Sequence, residues 1–592
     1  MCRIAGIISH DKKASQINIL KMTDAMQRGG PDSSGYFCDE NLPITLGHRR
    51  LSIIDLSSAG HQPMQDILNN YIISFNGEIY NYLELKKELE NKGYVFQSNT
   101  DTEVLLNGYL EWGTNLFGKL NGMFAFILFD KIKKELIAVR DSEGIKPLYF
   151  GKDGEQFYFS SEIRGFLAIN PYWQENHQWT IFFLTFGFIP EPYTTLQNVS
   201  HLPKGSFMIF NLQNYKYKIL KYSQVQFSVK INNLKEAIQL TRSTVSSAIE
   251  SHLIADVPVG VFLSGGLDSS IITSVAQKKH NEKLNSLSIY FEDEKYSEKN
   301  FQDLVIKRTG VIHRSFKVSN EEYQKQLPDI LQAMDQPSVD GVNTYFISKY
   351  AKEAGFKVVL SGLGADEYFG GYSSFDGTLN KVKRLKNAIK IIGFLNGKYS
   401  LKKVSFLDEK RWYNDYLLNR GLFSPRDTAN ITGFSVSEVN SVLNLIKEPS
   451  EFEKLDSMNK ISYMESNIYM QSQLLRDSDS FSMWHSLELR VPFLDRNVVN
   501  LAKSIDPIIK FNKKQKKHLL IEAFKDDLPQ EVWNRKKQGF AFPFETWFSK
   551  NKFLTNSNFL PQKWQSLFLK EKLNYSRIWA IFLQRTFNKI DA

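Results

Sequence analysis

Residues 257–270 set the clearest pattern of apolar and polar positions in this 592-residue chain. The apolar, β-branched run 257–263 predicts a buried strand, and the apolar run 271–276 predicts a helix. Between them lies Ser-Gly-Gly-Leu-Asp-Ser-Ser at 264–270. Two glycines allow a sharp turn close to a ligand, and a helix start offers unpaired N–H donors. The pattern predicts an anion-binding turn, although a plain strand-to-helix turn would share part of it.

The remaining pattern divides the chain into two halves of different character. Short strands are predicted at 4–9, 44–47, 71–75, 123–129, 135–140, 148–151 and 157–160, and helices at 17–28, 82–92 and 102–112, which favours an α+β sandwich. A proline-containing segment, 171–229, is interpreted as transitional and ends in a polar strand. Single apolar strands at 259–263, 286–291, 313–318 and 358–360 then alternate with helices, which predicts a doubly wound parallel sheet. Beyond residue 373 the pattern is mostly helical.

Composition narrows the class of protein. The chain is 42% hydrophobic with a net charge of +10, which suits a multidomain globular protein. The basic tract 381–403 is interpreted as a solvated helix face, so no nucleic-acid partner is expected. The two cysteines cannot build a disulfide framework, and the longest apolar run, 181–190, is too short to span a membrane. We expect a cytoplasmic protein with no membrane partner.

Position 2 offers nucleophile chemistry. If Met1 is removed, the Cys2 thiol lies beside its own α-amine, whose pKa near 7.7–8.0 suits a general base. Asn76 and Gly77 follow a predicted strand and could donate hydrogen bonds to an oxyanion. Arg50 could bind a carboxylate and Asp101 an ammonium group. Alternatively, Cys2 is a small residue before a strand, Asp101 a helix cap and the arginine part of a solvated face. Together, however, these residues describe a pocket for glutamine.

A second loop repeats the logic of the first. The apolar strand at 358–360 is followed by Ser-Gly-Leu-Gly-Ala-Asp-Glu at 361–367. Loops at the carboxyl ends of parallel strands border one crevice, where open α/β sheets bind ligands. Because the first loop lacks the P-loop lysine and carries Asp268, we expect pyrophosphate and a divalent metal there. Asp268 and Asp366 could share Mg²⁺. A helix cap remains an equal alternative for Asp366.

The chain resembles the glutamine-dependent asparagine synthetases over nearly its full length. The motifs that carry the resemblance are Met-Cys at 1–2, H-R-R-L-S-I-I-D at 48–55, N-G-E-I-Y-N at 76–81, R-D-S-E-G-I-K-P-L-Y at 140–149, S-G-G-L-D-S-S at 264–270, G-A-D-E-Y-F-G-G-Y at 364–372, L-E-L-R-V-P-F-L-D at 487–495 and R-K-K-Q-G-F at 535–540. Their order along one chain is highly specific to this family. The match is weakest at about 373–460.

The resemblance implies two domains joined by an ammonia tunnel. A homodimer is one assembly state that it allows. Residues 2–215 would form an α+β N-terminal nucleophile sandwich, a class II glutaminase. Residues 230–592 would form an α/β PP-loop ATP pyrophosphatase domain with a helical C-terminal part. The implied substrates are glutamine, ATP with Mg²⁺, and a carboxylate acceptor. Ammonia from glutamine would attack an acyl-adenylate of that acceptor, releasing AMP and diphosphate.

The resemblance also implies roles for individual residues. Cys2 would be the nucleophile, with Asn76 and Gly77 assisting, and Lys537 would stabilise phosphate charge during adenylation. The residues implied to bind glutamine are Arg50, Leu51, Ser52, Ile53, Ile54, Asn76, Gly77, Glu78 and Asp101. Those implied to bind ATP are Leu263, Ser264, Gly265, Gly266, Leu267, Asp268, Ser269, Ile289, Ser361 and Gly362.

One departure concerns the acceptor. Typical members of this family carry a glutamate, tied to the aspartyl-adenylate, where this chain has Leu363. An apolar side chain cannot take up a proton or complete a polar site for aspartate. Aspartate is the default acceptor, and a uronic-acid-like carboxylate of a surface polysaccharide is the alternative. A regulatory protein that has lost synthesis is a third hypothesis, which the retention of Cys2, Asp268, Asp366 and Lys537 opposes.

Overall fold

The computed structural model describes residues 2–223, 227–280, 282–293, 295–376, 403–512, 515–535, 542–550, 562–570 and 573–588. Within these ranges the chain builds two six-stranded antiparallel sheets and one five-stranded parallel sheet. Among the described residues, no helix combines the length and the apolar character that crossing a membrane requires.

The first part of the chain is the expected sandwich. Its strands are β1 (Cys2–Ile8), β2 (Ser33–Cys38), β3 (Ile44–Arg50), β4 (Met64–Gln65), β5 (Tyr71–Ile79), β6 (Gly122–Asp130), β7 (Glu135–Arg140), β8 (Tyr149–Asp153), β9 (Gln156–Ser160), β10 (Val199–His201), β11 (Ser206–Asn211) and β12 (Lys216–Lys221). They form sheets of order β10-β8-β9-β1-β3-β2 and β12-β11-β7-β6-β5-β4. Every side chain of β1 is buried, because a central strand is covered on both faces.

Helices cover the outer faces of this sandwich. They are α1 (Lys12–Ala25), α2 (Tyr82–Glu90), α3 (Asp101–Trp112) and α4 (Ile163–Leu167), whereas a fifth helix of this part, α5 (Trp179–Phe186), packs on the C-terminal part of the chain. The first packs on β1 and β3, and the third packs on β5, which gives the order helix, sheet, sheet, helix. The edge strand β12 exposes three lysines, which discourages pairing with another chain. The polar strand predicted to reach residue 229 ends at Lys221.

The second part contains the predicted parallel sheet. Its strands are β13 (Val259–Phe262), β14 (Asn285–Tyr290), β15 (Ile312–Lys317), β16 (Val358–Leu360) and β17 (Glu488–Arg490), in the order β15-β14-β13-β16-β17. Four of the five match the predicted strands to within one residue at each end. The fifth, β17, lies in a region predicted as helical, because three residues with two charges give no periodicity. The order reverses between β13 and β16, the topological switch point where such sheets bind ligands.

Helices flank this sheet and fill the C-terminal part. They are α6 (Leu234–Ser251), α7 (Leu267–Lys279), α8 (Lys299–Thr309), α9 (Asn320–Ala333), α10 (Val342–Glu353), α11 (Ala365–Phe369), α12 (Asn414–Arg420), α13 (Pro425–Thr432), α14 (Val436–Leu443), α15 (Ser457–Met464), α16 (Arg476–Trp484), α17 (Arg496–Ser504), α18 (Pro507–Lys510), α19 (His518–Phe524), α20 (Gln530–Trp533), α21 (Phe544–Lys550), α22 (Gln562–Leu569) and α23 (Tyr575–Phe587). A π-helical stretch, Glu465–Leu475, joins α15 to α16.

The helix α5 ties the two parts together. All eight of its residues are buried, although the surrounding segment was predicted to be merely transitional. It packs against α12, α13, α14 and α23, which all come from the C-terminal part. An apolar helix without a polar face must be covered all round. Helix α5 lies before residue 215 but packs against helices that follow residue 230. The domain boundaries at 215 and 230 therefore stay a prediction.

Candidate functional site

Cys2 lies at the start of β1, where the sheet register pairs it with Arg50 of β3. Its backbone N–H donates to Asn76 Oδ1 at 3.0 Å. Burial raises the pKa of the Cys2 thiol, while a hydrogen bond from the Leu51 backbone and the charge of Arg50 act in the opposite direction. A thiol with a raised pKa needs a nearby base to become a nucleophile.

Asn76 and Gly77 stand together on β5 in the facing sheet. The Asn76 side chain is buried, and its Nδ2 has no hydrogen-bond partner within the described part of the chain. An unsatisfied buried donor costs about 1–3 kcal/mol, so it is retained where a ligand uses it. Gly77 is required by space, because a Cβ there would lie 2.1 Å from the Met123 carbonyl oxygen. The pair suits the predicted oxyanion site.

Arg50 holds the loop that follows it. Its Nη1 donates to the Ser57 carbonyl at 2.9 Å, and its Nη2 donates to the carbonyls of Ile54 at 3.3 Å and Asp55 at 2.5 Å. A Cβ at Gly60 would collide with this guanidinium. Three of its five N–H groups thus fix the loop that contains four of the other residues predicted to bind glutamine. Those residues are Leu51 and Ile53, which are buried, and Ser52 and Ile54, which are partly buried.

Two buried carboxyl groups complete this site. Asp101 is the first residue of α3, and the helix is capped by Thr100, whose Oγ1 accepts from Glu103 N–H at 3.2 Å. The alternative that Asp101 is itself the cap is therefore wrong. Its Oδ2 accepts from Ile79 N–H at 3.0 Å, and burial raises the pKa of Asp101 to about 6. Burial, and after it the charge of Glu488, raises the pKa of Glu78.

Arg490 links this site to the parallel sheet. Its Nη2 lies 3.4 Å from Glu78 Oε1, and its Nε lies 2.5 Å from Glu488 Oε1. The same guanidinium donates to the His252 carbonyl at 2.8 Å. Its backbone carbonyl accepts from Ser361 N–H at 2.8 Å, in the second predicted nucleotide loop. Arg490 had a sequence signal in the L-E-L-R motif, but no role was predicted for it.

The loop after β13 is the predicted anion turn. Gly265 has φ +81°, which an L side chain rarely adopts, and Gly266 directly precedes α7. Ser264 N–H donates to Ser269 Oγ at 3.2 Å, so the turn is closed by its own hydroxyl groups. The N-terminus of α7 therefore points its free N–H groups and positive dipole end at the switch point.

Two aspartates from the two loops meet at one lysine. Lys517 Nζ lies 2.5 Å from Asp268 Oδ2 and 2.5 Å from Asp366 Oδ1. Gly371 makes room for this contact, because a Cβ there would lie 1.6 Å from Asp366 Oδ1. The two aspartates that were predicted to share Mg²⁺ thus lie close together, because both contact Lys517. Sequence reasoning missed Lys517, because the run Lys-Lys-Gln-Lys-Lys at 513–517 is typical of a solvated surface.

These loops border a cavity of about 1010 Å³, which we call the switch-point cavity. This volume is at the upper end of the range typical of cavities that bind drug-sized ligands. The predicted ATP-binding residues that line it are Leu263, Ser264, Gly266, Leu267, Asp268, Ser269, Ile289, Ser361 and Gly362. Gly265 instead accepts a hydrogen bond from Arg535 Nη2 at 3.1 Å, through its carbonyl. Lys537 lies outside the described residues.

Two sequence profiles match this chain. The asparagine synthase profile matches residues 240–560, and the glutamine amidotransferase domain profile matches residues 1–223. The chain belongs to the asparagine synthase family. The resemblance inferred from its motifs is thereby confirmed, as is the order of an amidotransferase fold before a synthase domain.

Relatives in this family extend over nearly the whole chain. Asparagine synthetase [glutamine-hydrolyzing] 1 of Bacillus subtilis is 34% identical over 92% of this chain and 88% of its own length. Asparagine synthetase [glutamine-hydrolyzing] 3 of the same species is 29% identical over 91% and 87%. Amidase chry2 of Gibberella zeae is 26% identical over 92% and 90%. These relatives carry different names, so the similarity by itself does not identify the acceptor.

Proposed function

We propose that this chain is a glutamine-dependent, ATP-driven amide ligase whose default acceptor is aspartate. The observation that carries the proposal is the convergence of Asp268 and Asp366 on Lys517 at the switch point. Paired carboxylates and a lysine beside a helix N-terminus suit a pyrophosphate leaving group. Arg490 contacts Glu78 in the site that contains the buried Cys2, and this site suits the supply of ammonia.

The first half of the reaction uses Cys2. Once Met1 is removed, the nitrogen that Asn76 Oδ1 holds is the α-amine, which takes the thiol proton. The thiolate then attacks the side-chain carbonyl carbon of glutamine, and the developing oxyanion accepts from Asn76 Nδ2. The α-ammonium group then returns this proton to the amide nitrogen, so that cleavage of the C–N bond releases ammonia and leaves a thioester, which water hydrolyses to glutamate and the free thiol. Asp101 and Glu78 lie beside this point to bind the α-ammonium group.

The second half uses the switch-point cavity. A carboxylate oxygen of the acceptor attacks the α-phosphorus of ATP, and pyrophosphate leaves toward the turn at 264–269. Ammonia then attacks the acyl carbon, and AMP leaves as the amide forms. Ammonia is mostly protonated in neutral water, so it must travel between the two sites through a dry path. Leu51, Ile53 and Tyr80 of the amidotransferase part share a buried apolar cluster with residues of the parallel sheet.

Asp268 and Asp366 fit a Mg²⁺ ion. In the described part of the chain no group of three or more His, Cys, Asp or Glu side chains could hold a metal by itself. Mg²⁺ bound to nucleotides typically takes one or two protein carboxylates and completes its shell with phosphate and water oxygens. The two aspartates would supply those ligands. The ion, when bound, neutralises charge on the pyrophosphate.

Leu363 favours a second acceptor. It lines the switch-point cavity and packs against an apolar cluster that includes Leu287 and Leu489. This position therefore presents an apolar wall in place of the glutamate of typical relatives. A uronic-acid-like carboxylate, which carries no ammonium group to pair with that glutamate, is the alternative acceptor.

The decisive experiment is an assay of pyrophosphate release with glutamine, ATP and Mg²⁺. Aspartate is compared with a panel of other carboxylates. Turnover with aspartate at a rate normal for an enzyme would remove the alternative acceptor. Silence with aspartate but release with another carboxylate would replace the default acceptor, and silence with every carboxylate would refute the ligase.

A matched pair of cysteine variants tests the glutaminase half. We expect C2A to abolish synthesis from glutamine while synthesis from added ammonium continues. C38A, which changes the other cysteine of the chain, is the control and should keep both activities. Loss of both nitrogen sources in folded C2A would contradict the separation of the two sites.

A further inference from the structure

A second cavity adjoins the switch-point cavity. It has a volume of about 440 Å³, and we call it the side cavity. The two cavities share four lining residues, which are Asp340, Asn343, Tyr372 and Tyr469. These four residues form the junction at which the two cavities adjoin.

Cations are concentrated on the walls that belong to the side cavity alone. Lys403, Arg420 and Arg577 line it and do not line the switch-point cavity. Arg420 is compensated, since its Nε lies 2.8 Å from Glu465 Oε2. Its guanidinium carbon also lies 3.6 Å from the ring centroid of Tyr469, at the junction. Arg420 therefore has a fixed place in the wall.

Lys403 is different from Arg420. Its Nζ donates to the Asn419 backbone carbonyl at 3.0 Å, and it pairs with no carboxylate among the residues that the structure describes. Burial, and after it the charges of Arg577 and Arg420, lowers the pKa of Lys403 to about 8. A buried ammonium group with two cationic neighbours is costly unless an anion binds beside it.

Arg577 completes the cationic wall from the C-terminal helix. Its Nε donates to the Leu422 carbonyl at 2.7 Å, and its Nη1 donates to Asn574 Oδ1 at 3.1 Å. These two contacts fix the orientation of the guanidinium in the wall of the side cavity. Guanidinium and ammonium groups held this way bind carboxylate or phosphate.

A buried carboxyl group lies at the other end, at the junction. Asp340 lines both cavities, and its carboxyl accepts from Gly341 N–H at 2.8 Å. Burial raises the pKa of Asp340, against the effects of Gly341 and Arg420. The end of the side cavity toward the nucleotide thus carries a buried carboxyl group whose raised pKa favours its neutral form, and the far wall carries the cations. Phe186, Tyr416 and Tyr575 supply flat aromatic surface between them.

We propose that the side cavity binds the acceptor, and that the acceptor carries a second anionic group, carboxylate or phosphate, which binds Lys403 and Arg577. The proposal rests on the proposed ligase function and specifies its substrate class. The reacting carboxylate points through the junction toward the α-phosphate, and the second anion sits against the far wall. Aspartate and phosphorylated uronic acids belong to this class, whereas a neutral monocarboxylate does not.

The test uses pairs of acceptors that differ only in the second anion. Wild-type protein is given ATP, Mg²⁺ and ammonium, and AMP formation is followed. One pair is aspartate and its α-amide, and the other is D-galacturonate 1-phosphate and D-galacturonate. We expect the dianionic member of the pair that reacts to have a KM at least tenfold lower. Equal KM values within that pair would overturn the proposal.

The variant K403M should remove this preference. We expect the KM of the dianionic acceptor to rise at least tenfold, while the KM for ATP and the glutaminase rate stay unchanged. K403R should keep the preference, because it keeps the charge. K410M alters an exposed lysine outside the cavity and is the matched control. A K403M protein that keeps the wild-type preference would contradict the assignment.

Calorimetry separates this proposal from the ligase function itself. If none of the four acceptors forms AMP, the ligase function fails for this panel, and binding of succinate is then compared with binding of its monoamide. The side cavity as an anion site is upheld if wild-type protein binds succinate at least tenfold more tightly than the monoamide and K403M does not. No binding of succinate, or equal binding by K403M, overturns it.

Discussion

The guanidinium of Arg490 lies 3.4 Å from the carboxylate of Glu78, and this contact joins the cysteine site to the parallel sheet. Arg490 also pairs with Glu488 of its own strand, and all three side chains are buried. Removing one partner of a buried ion pair leaves a charge without compensation. Here the arginine serves two carboxylates at once.

We therefore expect R490M to lower the free energy of unfolding by about 3–5 kcal/mol. The double variant E488Q/R490M should recover part of this loss, because it also removes the charge of one of the two carboxylates that Arg490 compensates. Urea denaturation measures both effects. R426M changes an exposed arginine and is the control. A single variant as stable as wild type would show that the network contributes nothing.

Asn76 should act mainly on the rate of glutamine hydrolysis. N76A removes the buried Nδ2 donor, which has no partner among the described residues and would serve the oxyanion, and it also removes the Oδ1 contact that holds the Cys2 nitrogen. We expect kcat for glutaminase to fall about 10²–10³-fold with little change in KM. Steady-state glutamate release measures this, and ammonium-dependent synthesis is the internal control. A change confined to KM would assign Asn76 to substrate binding instead.

Lys517 should compete with Mg²⁺ for the two aspartates. In K517M the carboxylates of Asp268 and Asp366 face each other without the ammonium group that separates them. A ligand that binds only the folded protein raises its Tm. We therefore expect Mg²⁺, without nucleotide, to raise the Tm of K517M more than that of wild type. Differential scanning fluorimetry gives the comparison, with K525M as control; equal shifts in all three proteins would refute the competition.

Acceptor binding should weaken at alkaline pH. The folded pKa of Lys403 lies near 8, below the ordinary value of 10.5, because burial and the charges of Arg577 and Arg420 disfavour its charged form. The ammonium group is therefore complete below pH 8 and is lost as pH rises through it. Among the described residues, Asp340 is the carboxyl group that lines the same cavity, and burial raises its pKa.

The KM of a dianionic acceptor should consequently rise by up to about tenfold per pH unit above 8. K403R should flatten this rise, because an arginine keeps its charge. Assays with ammonium in constant excess over the pH series keep the thiol of Cys2 out of the measurement. A rise of the same size in K403R would assign the pH dependence to another group.

The sequence predicted the switch-point loops well because strand, glycine turn and helix start are local signals. The turn at Gly265 and the helix after Gly266 follow from neighbouring residues alone. Strand β17 could not be found this way, since its three residues are held only by pairing with β16. Arg490 was therefore recognised as part of a motif, but its strand and its contacts were not predicted.

Lys403 and Lys517 also could not be predicted from local sequence, because both belong to polar runs. Lys403 ends a basic tract that was interpreted as a solvated helix face, and for this residue the interpretation is wrong, because it lies partly buried in the side cavity. Lys517 likewise belongs to a polar run, but its side chain is buried between the two loops that border the switch-point cavity. Local composition favours solvent for any lysine-rich run, and only the tertiary fold selects which member turns inward.

The three residues of β17 have one further consequence. Successive side chains of a strand point to opposite faces, so Glu488 and Arg490 face the glutamine side while Leu489 lines the switch-point cavity. This strand thus contributes side chains to both sites, and its Arg490 carbonyl accepts a hydrogen bond from Ser361 N–H in the second nucleotide loop. We therefore expect a movement of Glu78 on glutamine binding to be transmitted through the Arg490 side chain to the strand that borders the nucleotide cavity.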